Sequence, residues 1–219
     1  MKEKKVIWDY LWYALYAFAG LGIELLLIVL LEPILFGGVS SSDYTSLQRI
    51  IHWILTIICW GVISFSLIKC SKKKLDFDVI LAEKTTRNGI IISILLTIAC
   101  IVINAFDWGV LKVVAEFQSK GLLLFLFQYV YYLFEVVLVV LILAFGQKFG
   151  EVLTGKIRLI PWGGIILCIT WGAIHILSQG SLHVGIVVMT FSLIYGVIYL
   201  LLDRNFKYSY ILIALAFMV

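Results

Sequence analysis

The sequence predicts an all-α, polytopic membrane bundle of six or seven spans that forms a single domain over residues 1–219. Three observations carry that prediction. Of 219 residues, 63% are hydrophobic and only 14% are charged, against about a quarter charged in an ordinary soluble domain. Seven apolar stretches approach the roughly 20 helical residues that a hydrocarbon core of about 30 Å requires. Basic residues alternate between the ends of those stretches.

The spans are read as Ile7 to Phe36, Leu47 to Ile68, Gly89 to Phe106, Leu122 to Phe145, Ile160 to Leu177, Leu182 to Leu202 and Tyr208 to Val219. The first is longer than a crossing needs, and Glu32-Pro33 marks a place for it to end. Its apolar run exceeds that of a signal peptide and lacks a small-residue cleavage site, so this helix is expected to be retained. Trp8, Tyr10, Trp12, Tyr13 and Tyr16 suit the headgroup zone at its start. The last stretch has only a dozen residues after Lys207, which leaves a short closing helix, a re-entrant piece or a surface helix as readings.

Lys2, Lys4 and Lys5 precede the first span. Lys69, Lys72, Lys73, Lys74, Lys84 and Arg87 follow the second, Lys148, Lys156 and Arg158 the fourth, and Arg204 and Lys207 the sixth. The opposite side carries Arg49, Lys112 and Lys120. By the positive-inside rule this places the N-terminus in the cytoplasm of a multi-pass cell-membrane protein. The loop CSKKKLDFDVILAEKTTRNG reads first as a solvated anchor and second as a contact for anionic lipid.

A net charge of +4 without a long basic stretch excludes a nucleic-acid partner. Cys59, Cys70, Cys100 and Cys168 are dispersed and read as small core side chains. There is no HExxH, nucleophile elbow, Walker, dinucleotide or EF-hand pattern. The remaining chemistry is water activated by carboxylate and imidazole, with no metal or organic cofactor required. A zinc site built from Glu and His is the minor alternative.

Intramembrane polar residues face a bundle interior or cavity by default. Glu24 lies about 17 residues, roughly 25 Å, into the first span, whereas Glu32 near its outer end reads as a cap or headgroup contact. His52 stands just inside the second span. In the fourth, Gln128 and Glu135 are seven residues apart on nearly one face, with Tyr131 and Tyr132 between them. In the fifth, Trp171, His175 and Gln179 recur every four residues. Their depths allow one outward-opening cavity holding Glu24, His52, Asn104, Gln128, Glu135 and His175. Structural pairing is the competing reading for each, and His183 reads as interfacial. Glu135 and His175, if adjacent in a dry cavity, are expected to be energetically coupled.

The stretch PWGGIILCITWGAIHILSQG, followed by SLIYGVIYLLLD, resembles the core of the CAAX protease and bacteriocin-processing family, also called CPBP or Abi. The likeness covers about residues 121 to 219. Trp171 to His175 matches the family's FxxxH element as WxxxH, which implies the family histidine's role for His175. The EExxxR element is matched less well. With Glu135 in the second glutamate position, Phe134 and Val139 fill the first glutamate and arginine positions; with Glu151, Gly150 and Gly155 do so. Glu135 is preferred because it lies inside a span. The family's later His/Asn element has no counterpart.

The resemblance implies a CPBP-like core and a glutamate/histidine-dependent hydrolase. Glu135 would activate water, His175 would orient it or stabilise an oxyanion, and Glu24, His52, Gln128, Trp171 and Gln179 would be auxiliary or cavity residues. The implied substrate is a hydrophobic or lipidated peptide within the membrane. The departures keep open a noncatalytic pseudoprotease that binds peptide, lipid or a membrane-protein partner or serves immunity, and a transport activity as a third reading.

Overall fold

The computed structural model describes residues 2–81, 84–155 and 160–219, with side chains from Ile7 onward. Lys156 and Arg158 of the basic tally, and the side chains of Lys2, Lys4 and Lys5, lie outside the described residues. The described residues are helices and connections with no strand. Five helices are long and apolar enough to cross a membrane: Ile7–Phe36, Ser46–Leu75, Arg87–Trp108, Lys112–Thr154 and Leu182–Leu201. Trp162–Ser178 and Phe206–Met218 are apolar but shorter. The chain is therefore a polytopic helical membrane protein, in which five of the expected six or seven spans reach crossing length unaided.

The first rod consists of α1 (Lys2–Leu21), α2 (Ile23–Leu26), a π-helical turn over Leu27–Leu31, and α3 (Glu32–Phe36). Pro33 does not end it. Proline has no N–H for the carbonyl four residues back and its ring crowds that carbonyl, and the turn just before Pro33 is the one that widens. The rod stops at Gly37, whose φ of 68° is left-handed and suits a residue without Cβ.

Helix α4 (Ser46–Leu75) opens with a capping box in which Thr45 and Gln48 satisfy each other's amides. Helix α5 (Arg87–Trp108) is capped by the Thr86 side chain. Helix α6 (Lys112–Thr154) breaks at Gly121, with φ 72° and ψ 168°. It is thus a short helix over 112–120 that turns sharply into the long helix beginning at Leu122. Then come α7 (Trp162–Leu167), a π turn over Cys168–Gly172, α8 (Ala173–Ser178), α9 (Leu182–Leu201) and α10 (Phe206–Met218). Thr170 Oγ1 donates to the Ile166 carbonyl at 2.6 Å. Such back-bonding competes with the helical amide, and here it falls at the second widened turn.

Helix α6 is the hub. It packs against α1, α4, α7 and α10, and every residue from Leu138 to Gln147 is buried. A helix apolar on all sides faces either lipid or a protein core, and over this stretch α6 faces the core. In lipid, association depends on close contact rather than on escape from water. At the α7–α9 crossing a Cβ on Gly196 would stand 2.5 Å from the Gly164 Cα, and where α7 meets α6 one on Gly163 would meet the Leu143 carbonyl oxygen at 2.2 Å. Any side chain there would push α7 off its neighbours. The end of the bundle carrying the 37–45 connection is called the upper end below, and the end carrying 76–86 the lower.

Helix α10 terminates among side chains. Asn104, Lys112 and Tyr129 donate to the carbonyls of Ala216, Phe217 and Met218 at 3.1, 2.9 and 2.9 Å. A C-terminal helix end left bare in the bundle would carry unsatisfied acceptors; here an ammonium complements the negative end of the helix dipole.

Candidate functional site

Above the packed middle of α6 the bundle divides. Helices α1, α2 and α4 form one wall; α5, α8 and α9 form the other. Between them lies a cavity of about 1050 Å³ opening toward the upper end. Glu24, His52, Gln128, Glu135, Trp171, His175 and Gln179 all line it, as does Asn104. The structure thus collects these residues from five segments of chain around one space. Apart from Asn104 and Gln179, their hydrogen bonds divide them into three groups.

The first group joins the rod to α4. His52 Nδ1 lies 2.7 Å from Glu32 Oε1, and His52 Nε2 lies 3.0 Å from Glu24 Oε1. Tyr44 donates to Glu32 Oε2 at 2.7 Å, and Tyr131 donates to both oxygens of Glu24 at 3.0 and 2.9 Å. Trp60, 4.7 Å from Tyr131 between ring centroids, backs that tyrosine and donates to the Gly20 carbonyl at 2.9 Å. Burial first, then its bond to Glu32, push the Tyr44 hydroxyl up to about 12, so it remains a donor.

Glu32 is therefore not a cap or headgroup contact. It is fully buried. The π turn is the physical reason. At about 100° per residue, Glu24 and Glu32 would point about 80° apart around an α-helix. Five residues at the wider repeat of a π turn, about 82° each, bring the two carboxylates to within about 10° of one face. His52 occupies the space between them.

The second group centres on Trp171. Its indole N–H donates to Glu135 Oε1 at 3.1 Å, while its carbonyl stands 2.6 Å from His175 Nδ1. The two rings meet edge to face with centroids 4.8 Å apart. Gly172 allows this region to close on α9, because a Cβ there would sit 3.0 Å from Met189 Cα. A carbonyl only accepts, so Nδ1 carries the proton, and a neutral ring presents its lone pair at Nε2. Among the described residues neither His175 Nε2 nor Glu135 Oε2 has a hydrogen-bond partner. No bond joins Glu135 directly to His175 either; both are fixed through Trp171.

The third group comes from the 112–120 helix, whose charges read as loop residues in the sequence. Glu116 is buried. Its Oε1 accepts from Tyr132 at 2.8 Å, Gln128 at 3.1 Å and Lys120 at 3.4 Å. Lys120 also donates to Gln128 at 2.6 Å. Lys112 lies 4.7 and 4.3 Å from the ring centroids of Tyr132 and Phe217, as a cation over aromatic faces. Sequence reading passed over Glu116. The available signal was the spacing of Lys112, Glu116 and Lys120, four residues apart on one helical face.

Other candidates are placed elsewhere. Glu151, the alternative to Glu135 for the second glutamate position, is buried in the last turn of α6. It takes Arg204 at 2.8 Å and Gln147 at 2.8 Å. His183 is exposed and pairs with Asp107 at 2.9 Å. Gln179 stands at the mouth, exposed. The four cysteines are free, and among the described residues no group of three or more His, Cys, Asp or Glu is placed to hold a metal ion.

The chain matches no known family model, no curated protein and no solved structure.

Proposed function

We propose that the protein is a divergent CPBP-like intramembrane hydrolase, with its N-terminus in the cytoplasm and its cavity open to the other side. Its substrate is a hydrophobic peptide segment, lipidated or not. The observation supporting this is the pair of free acceptor atoms, Glu135 Oε2 and His175 Nε2, held on one cavity wall by opposite ends of Trp171. Water placed between them gives one proton toward the carboxylate and the other toward the imidazole, and its oxygen attacks the peptide carbonyl carbon. Glu135 then returns its proton to the departing amine as the C–N bond breaks. His175 acts as an orienting acceptor in this scheme, since an oxyanion-stabilising role needs the protonated ring. No cofactor enters the scheme.

A noncatalytic binding protein is the second reading, favoured by the missing partners of Glu135. Val139, in the position of the family arginine, is buried in the core, and Phe134, in that of the first glutamate, packs 3.1 Å from the Cβ direction of Gly61. Incubation with a library of membrane peptides in lipid nanodiscs separates the two. General acid–base groups typically contribute about 10²–10⁴-fold, and Glu135→Gln and His175→Ala are each expected to lose turnover on that scale while remaining folded. Undiminished turnover in both variants overturns their roles. Peptide retention without turnover in the wild type selects the binding reading.

A further inference from the structure

The hydrogen-bond chain Tyr44–Glu32–His52–Glu24–Tyr131 needs one more proton than a neutral imidazole and two ionised carboxylates supply. It has four links, and each link requires one hydrogen. Tyr44 and Tyr131 supply one each to the outer links. A neutral imidazole supplies one more, yet both ring nitrogens face carboxylate oxygens, at 2.7 and 3.0 Å. The fourth hydrogen makes the ring an imidazolium or one carboxyl an acid. In either form the two carboxylates and the imidazole together carry a single negative charge.

We propose that Glu24, His52 and Glu32 form a proton-binding site whose occupancy holds the upper part of the first rod against α4 and so sets the width of the cavity mouth. The ligand is one proton, and this inference is independent of any hydrolytic activity. The ionisable groups around the imidazole are Glu24 from α2, Glu32 from α3, Tyr44 from the 37–45 connection, Tyr131 from α6 through Glu24, and Arg49 one turn earlier on α4. Glu24, Tyr44, Arg49 and His52 all line the cavity, so movement of this wall changes the mouth directly. The π turn over Leu27–Leu31 lies between the two carboxylates. It lets one contact release before the other without unwinding the rod below.

The direction of the pH effect follows from proton counting. The closed arrangement holds the extra proton; with the contacts opened, His52 becomes an ordinary imidazole that loses it above about pH 6.5. Below that pH both states are protonated and pH has no leverage. Above it the closed state binds one proton more, and each pH unit multiplies the ratio of open to closed about tenfold.

Amide hydrogen exchange of the full-length protein in lipid nanodiscs, from pH 6 to pH 9, tests this. Protection of residues 22–36, corrected for intrinsic exchange and referenced to α9, is expected to fall by up to about tenfold per pH unit above about pH 6.5. His52→Gln replaces the ring with a group that does not titrate, so the slope should vanish. Glu32→Gln supplies an amide hydrogen to a neutral Nδ1, which removes the need for the extra proton and should also flatten the response. A flat wild-type profile, or an unchanged slope in either variant, overturns the assignment.

Discussion

His52 and His175 line the same cavity, yet their ring nitrogens are used differently. His52 has carboxylate oxygens at 2.7 and 3.0 Å on its two sides; His175 has a main-chain carbonyl at 2.6 Å on one side and a free nitrogen on the other. Each is bound to a segment that contains a π-helical turn. The difference separates two uses of a buried imidazole. One with both nitrogens paired joins helices and resists removal, whereas one with a free lone pair can act on whatever fills the space beside it.

The largest expected effect of breaking this contrast is on stability. His52→Ala leaves Glu24 and Glu32 facing each other with only phenolic donors. Removing one partner from a buried ionic group typically costs about 3–5 kcal/mol. His175→Ala deletes a single bond to a carbonyl and should cost about 1 kcal/mol. Reversible unfolding of both variants in one defined detergent measures the gap. Equal losses would mean that the two histidines play the same structural part.

A smaller effect concerns Trp171. Trp171→Phe keeps the ring against His175 but removes the indole hydrogen, leaving Glu135 Oε1 without its donor at a cost of about 1–3 kcal/mol. In a double-mutant cycle with Glu135→Leu the combined loss should fall short of the sum by about 0.5 kcal/mol or more. The Glu135–His175 cycle should show weaker coupling than either residue shows with Trp171. The reverse ranking would restore the direct pair expected from the sequence.

The apolar spans were legible because continuous hydropathy reports the environment of a helix. The seven cavity residues were legible because a polar group in such a span needs a polar neighbour. Which neighbour was not. Glu24, Glu32 and His52 come from two helices, and a π turn rotates Glu32 onto the Glu24 face in a way that a 3.6-residue repeat misses. Pro33 was the one visible sign, and it reads equally well as an ending. Gly121 was a similar case: the fourth span was placed to start at Leu122, where the backbone resumes its helix. Whether Lys112, Glu116 and Lys120 turn back into the bundle or stay in a loop depends on that glycine's positive φ, and on Tyr132 and Phe217 being there to receive Lys112.

The smallest expected effect tests whether distance or burial sets the strength of these pairs. Lys72 Nζ and Asp78 Oδ2 are 2.7 Å apart at the lower end, the same separation as His52 Nδ1 and Glu32 Oε1. The Lys72 side chain is 69% exposed, whereas Glu32 has no exposed surface. The Lys72 ammonium, with help from the Ile80 amide, holds the Asp78 carboxyl below the ordinary carboxylate range. A depressed carboxyl contributes stability above its unfolded value of about 3.9 and loses that contribution as pH falls through its folded value. Lys72→Ala should therefore leave the melting temperature at pH 7 unchanged within error. Wild type and variant should stay indistinguishable as the pH falls through the depressed folded value, below which the carboxyl is protonated in both states. Water screens an exposed pair and its long side chains give up freedom to form it, while Glu32, with no exposed surface, has no water to fall back on. If Lys72→Ala destabilised the protein as much as His52→Ala, separation alone would govern both, and burial would not be what distinguishes the His52 cluster.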